Sequence, residues 1–190
     1  MALFNRSGQK YALEIAMTGV KLGDRLLQIG CADAPLVAAL SAKVGLSGRA
    51  CVLVASQEDA ERATRAAERA GVLLEVEVAQ GAFSAFPYDD HAFNLIVVNN
   101  QDGLIATMKP EHRVAALQQA RRTLAPRGRI VLIEGAPRAG LGALLSRAAA
   151  VADPHYQNTG GAVAALQAEG FKAVRPLASR DGLSFFEGIA

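Results

Sequence analysis

Tryptophan is absent from this sequence, and aromatic residues make up only 5% of it. A core held by aromatic stacking is therefore excluded, and the 51% of hydrophobic residues must pack largely through Ala, Leu and Val. Cysteine is nearly as scarce. Cys31 and Cys51 fall at the ends of apolar runs, with no further Cys to build a disulfide framework or a metal site, so buried reduced thiols and no metal are expected. No charge of one sign dominates: 20 Lys and Arg stand against 18 Asp and Glu, a formal charge of +2. The basic residues are scattered, which argues against a nucleic-acid partner. Long apolar runs are missing too. None approaches the roughly 20 residues that cross a bilayer, and residues 1–10 lack the apolar stretch of a secretory leader. A soluble cytoplasmic protein without a membrane span is the expectation.

What is present alternates. Short apolar runs bounded by Gly, Pro or polar turns are separated by longer segments of helical period, the pattern of a parallel sheet covered by helices. The length of 190 residues suits one domain over 1–190, with 1–21 as an N-terminal helical extension. Strands are expected at 25–29, 49–55, 72–79, 93–98, 129–134, 171–177 and 183–189. Helices are expected at 35–44, 57–70, 111–124, 141–152 and 160–169, with an irregular loop at 136–140. Ser56 is a plausible cap for the helix at 57 and Thr159 for the one at 160. On the helix 57–70, Ala63, Ala66, Ala67 and Ala70 should face the sheet, leaving Glu58, Arg62, Arg65 and Arg69 to solvent. Gly71 should stop that helix, and Asp181-Gly182 signals a tight hairpin. Glu75 and Glu77 mark the strand between as an edge.

Several strings resemble one family. Arg25-Leu-Leu-Gln-Ile-Gly-Cys-Ala-Asp-Ala34 is similar to the first motif of class I S-adenosylmethionine-dependent methyltransferases, a strand entering a Gly-rich turn. Phe86-Pro-Tyr-Asp-Asp-His-Ala-Phe-Asn94, Arg122-Thr-Leu-Ala-Pro-Arg-Gly128 and the closing Gly170-Phe171 resemble later segments of its small-molecule, ubiquinone-biosynthesis-like branch. The resemblance implies a three-layer α-β-α, Rossmann-like fold of α/β class. It also implies a mostly parallel seven-stranded sheet whose last strand is antiparallel, with S-adenosylmethionine as cofactor.

It implies further that Gly30, Cys31, Ala32, Asp33, Ala55, Ser56, Ala82, Phe83 and Asn99 line the cofactor site. Here the sequence departs from the family's pattern. Ala32 and Ala34 replace two glycines of the first turn, and acids are missing at four places, occupied by Gln28, Ala55, Ala82 and Asn94. A hydrogen bond to a charged group is worth about 1.5–3 kcal/mol, so weak or lost cofactor binding is expected unless Asp33, Glu58 or Asp102 compensates. Phe83 or Phe86 should then turn inward and narrow the crevice. His155, in a loop with Tyr156, is the best-placed candidate base, ahead of His91 and His112. Two functions stay open: a silent relative that binds a small molecule or a partner protein, and an active methyltransferase on a small apolar or aromatic molecule.

Overall fold

The computed structural model describes residues 10–73, 76–135 and 153–190. The aliphatic runs become one seven-stranded sheet: β1 (Arg25–Ile29), β2 (Arg49–Val54), β3 (Val76–Gln80), β4 (Phe93–Asn100), β5 (Leu124–Gly135), β6 (Lys172–Arg180) and β7 (Leu183–Ile189). Their spatial order is β3-β2-β1-β4-β5-β7-β6. The first five pair in parallel. β7 lies antiparallel between β5 and β6, as the family resemblance implies.

The central strands bury both faces, as their unbroken aliphatic runs require. On one face, Leu26, Leu95, Val97, Val131 and Ile133 pack with Tyr11 and with Leu36 and Leu40. This layer contains α1 (Ala12–Thr18), α2 (Ala34–Val44) and α3 (Gln57–Ala70). On the other face, Leu27, Ile29, Ile96, Val98, Ile130 and Leu132 meet α4 (Leu104–Thr107), α5 (Pro110–Thr123), α6 (Pro154–Asn158) and α7 (Gly161–Ala168).

Local chemistry sets most boundaries. Ser56 caps α3, its Oγ accepting the Asp59 N–H at 3.1 Å, and Gly71 closes the helix in the left-handed conformation. The third strand starts later than expected because Val72 is still part of that cap. Its N–H bonds the Ala67 carbonyl, and its side chain packs on Ala38 and Ala67. β5 begins five residues early, at Leu124, because a bulge between the Phe93 and Leu95 pairings lets the Pro126-Gly128 turn ride within the strand. Thr159 is not the cap expected of it: Gly160, at φ +102°, holds that place, and the Thr159 hydroxyl donates to the Tyr156 carbonyl. Asp181 and Gly182 form the expected two-residue hairpin, both at positive φ. The loop expected at 136–140 and the helix at 141–152 lie outside the described residues. Among the described residues, no helix is long and apolar enough to cross a membrane.

Candidate functional site at the strand ends

The chain lays β2 and β3 to one side of β1 and then crosses to β4 on the other. That reversal opens a crevice at the carboxyl ends of β1 and β4, where open α/β sheets bind ligands. Gly30 stands at its floor with φ +82°. A Cβ there would lie 2.8 Å from Leu104 Cδ2 and 3.1 Å from the Asn99 carbonyl oxygen, so both backbone angle and space demand glycine. The sequence pattern did not foresee that a Leu of α4 closes over this glycine.

The floor is polar but incompletely paired. Gln28 is buried, and its Nε2 donates to the Gly30 carbonyl at 3.1 Å. Gln28 Oε1, both side-chain atoms of the fully buried Asn99, and Gln101 Nε2 have no hydrogen-bond partner among the described residues. Beside them Asp33, the residue before α2, accepts a bond from the Tyr11 hydroxyl at 3.0 Å. Tyr11 carried no signal in the sequence. It enters because α1 packs against the sheet and brings Tyr11 and the buried Glu14 toward this corner. Burial, with Asp33 adding to it, raises the Glu14 carboxyl above its ordinary range.

The neighbouring corner, between β1 and α3, is built differently. Ala55 is exposed and Ser56 half-buried after β2. The Ser56 hydroxyl donates to Asp59 Oδ2 at 2.9 Å. Arg62, expected in solvent, keeps 40% of its side chain exposed but also reaches back from the next turn of α3 toward the end of β1. Its Nη2 donates to Asp59 Oδ1 at 2.5 Å and to the Cys31 carbonyl at 2.6 Å, while its buried Nε has no partner among the described residues. Asp59, not Glu58, is thus the carboxylate at this corner, since Glu58 is exposed. The Cys31 thiol is buried and pushed up to about 11, chiefly by burial.

Along the rim, Val54 pairs with Gln80 and the Gly81 N–H bonds the Val54 carbonyl, so Ala55 and Ala82 stand at neighbouring strand ends. Ala82 is exposed; Phe83 is half-buried against the larger core. Phe86 does turn inward, but not over the crevice. Its N–H bonds Gln119 and its carbonyl accepts from Arg122, in the last turns of α5, which run toward the amino ends of the strands. Asn94 also proves remote from the crevice: it ties β4 to the start of β1 through the Arg25 N–H and Asp24. Asp102 is exposed and accepts the Leu104 N–H.

The candidate bases divide likewise. His91 sits at the amino-end side, its N–H bonded to the Arg122 carbonyl and its Nδ1 2.8 Å from the Leu124 carbonyl. There it lines a cavity of about 380 Å³ with Gln118, Arg121 and Pro126. His112 is exposed in α5. His155 lies in α6 and not in a loop, and its side chain lies outside the described residues. Its neighbour Tyr156 is buried, and its hydroxyl donates at 2.6 Å to Glu134 at the end of β5. Asn100 Nδ2 donates to the same Glu134 oxygen at 2.9 Å, and Asn100 Oδ1 accepts the Ile105 N–H.

A switch-point crevice floored by glycine, in a sheet with one inserted antiparallel strand, is the architecture of class I methyltransferases. Residues 26–128 match the family model described as a methyltransferase domain, and the chain belongs to that family. A SAM-dependent methyltransferase from Aquifex aeolicus superposes with a TM-score of 0.70 at 18% identity, over 95% of this chain and 88% of its own. PigF, solved with SAH, gives 0.64 at 15% identity over 87% of this chain, which spans 50% of PigF. The [4+2]-cyclase SpnF gives 0.64 at 15% identity, over 95% of this chain and 79% of its own. At these identities the likeness is one of fold. No curated protein matches the chain significantly.

The two ends of the crevice fit S-adenosylmethionine unequally. The buried Gln28 and Asn99 atoms and Asp33 offer acceptors and donors to the ammonium and carboxylate of an amino acid. At the other end Ala55 and Ala82 bring no acceptor for a ribose diol, and Cys31 O and Asp59 Oδ1 already accept from Arg62.

Proposed function

We propose that this chain is a methyltransferase-family protein in which S-adenosylmethionine binding is weak or lost, and that it acts as a binding module for a small molecule or a partner protein. The observation that supports this is the pair of exposed alanines, Ala55 and Ala82, at the neighbouring ends of β2 and β3. In working relatives the resemblance puts carboxylates there for the ribose and the adenine amino group. Losing both contacts costs roughly 3–6 kcal/mol, which moves a micromolar affinity about two to four decades toward millimolar. Fold alone does not oppose this, because one scaffold carries many functions.

The second reading, an active methyltransferase on a small apolar or aromatic molecule, draws on the polar atoms at the other end of the crevice, Gln28 Oε1 and the Asn99 amide. Rebuilding separates the two. Ala55→Asp with Ala82→Asp should tighten S-adenosylhomocysteine binding by about a decade per useful contact, measured by calorimetric titration against the native chain. Native binding already near micromolar, unimproved by the acids, would favour the enzyme.

A further inference from the structure

Arg62 belongs to an amphipathic helix whose other arginines lie on its polar face, and an exposed i,i+3 pair with Asp59 would add only a few tenths of a kcal/mol. The pair itself is partly exposed, at 40% for the Arg62 side chain and 33% for that of Asp59, but Arg62 also makes a contact outside its own helix. The guanidinium turns inward and bonds the Cys31 carbonyl, 31 residues away in sequence, at 2.6 Å, so it spans the gap between the end of β1 and the start of α3. In doing so it leaves its Nε buried without a partner among the described residues, an arrangement with a desolvation cost. One nitrogen, Nη2, carries both bonds.

The two acceptors it covers lie on opposite sides of the same corner. Cys31 O follows Gly30 at the floor, and Asp59 Oδ1 faces it from the first turn of α3, with the other Asp59 oxygen already held by Ser56. A carboxylate at the end of the second strand is how this kind of crevice usually receives a ribose, and an arginine there changes which ribose it accepts. Here the carboxylate is present one helical turn late, and the arginine is laid across it.

We propose that Arg62 is the specificity-determining residue of the crevice: it occupies the acceptors a ribose diol would use and so disfavours ligands with a free ribose diol, S-adenosylmethionine among them, at the β1–α3 corner. The proposal rests on the reading above that cofactor binding is weak, and it assigns that weakness partly to a removable side chain instead of to missing acids alone. The neutral variants Arg62→Gln and Arg62→Met release Cys31 O and Asp59 Oδ1 without adding an acid.

The test is calorimetric titration with S-adenosylhomocysteine, alongside thermal unfolding to show that each variant is folded. Both variants should bind at least about tenfold more tightly than the native chain, and adding Asp59→Asn to either should remove most of the gain. Folded variants with unchanged affinity would overturn the proposal. So would a gain that survives Asp59→Asn, because mere widening of the corner would then explain it. If both variants unfold, Arg62→Lys, whose single ammonium reaches less far, must show part of the gain; its failure would also overturn the proposal. Micromolar binding by the native chain would defeat the proposed function and this inference with it, whereas weak native binding left unchanged in folded Arg62 variants would defeat this inference alone.

Discussion

At the scale of single residues, burial governs reactivity. Cys31 and Cys51 are both buried, and burial raises their thiols to about 11 and about 12. Neither has an appreciable thiolate population near neutrality. Thiol-specific reagents at pH 8 should therefore label neither cysteine in the native protein and both after unfolding; labelling of native Cys31 at the rate of a free thiol would show the corner to be open. Glu14 gives a pH signature. Its folded carboxyl is raised by burial, so the unfolded chain loses its proton first as pH climbs, and stability falls as pH rises through the glutamate range. Glu14→Gln should remove that part of the profile in denaturant titrations from pH 4 to 7. An unchanged slope would mean that Glu14 is not buried in solution. The residue scale was also where sequence was least legible. Ser56 and its Asp59 partner could be read from a capping pattern, and helical period placed Arg62 on the solvent side, where 40% of its side chain is exposed, but gave no sign of its bond to the Cys31 carbonyl. A long side chain on a helix edge can snorkel in either direction. Asn94 was misplaced because a motif position does not say at which end of a strand its side chain works.

Among the elements, the carboxyl ends of β4 and β5 are tied to α6 by one buried junction. Glu134 Oε1 receives both the Tyr156 hydroxyl and the Asn100 amide, and the Arg113 guanidinium lies 4.9 Å from the Tyr156 ring centroid while pairing with Asp153 at 3.1 Å. Removing the hydroxyl leaves a half-buried carboxylate with one partner fewer. Tyr156→Phe should thus destabilise by about 1–3 kcal/mol, read as a lower denaturation midpoint with the slope unchanged. An effect within about 0.5 kcal/mol, ordinary for a surface substitution, would show that the junction is not formed. The strand β1 and the helix α3 were legible, since they begin and end where the apolar run and the caps place them. Boundaries failed where tertiary geometry intervened: at Val72, drawn into a helix cap, and at Leu124, drawn into the sheet by a bulge.

For the whole molecule, serial order carried the fold. Five aliphatic runs with crossover helices and a final hairpin admit few arrangements, and the seven strands with an antiparallel last one are what the family resemblance implied, while the spatial order of the strands came from the structure. The site was less legible, because its chemistry depends on side chains brought together from α1, β1, α3 and β4. Tyr11, Arg62 and Leu104 are there by packing, not by motif. On the function proposed above, this crevice no longer holds the adenosine half of S-adenosylmethionine. The most direct measurement is calorimetric titration of the native protein with S-adenosylmethionine and S-adenosylhomocysteine. Dissociation constants weaker than about 100 μM are expected for both, or no detectable heat; a value near 1 μM for either would mean that the adenosine half is still held.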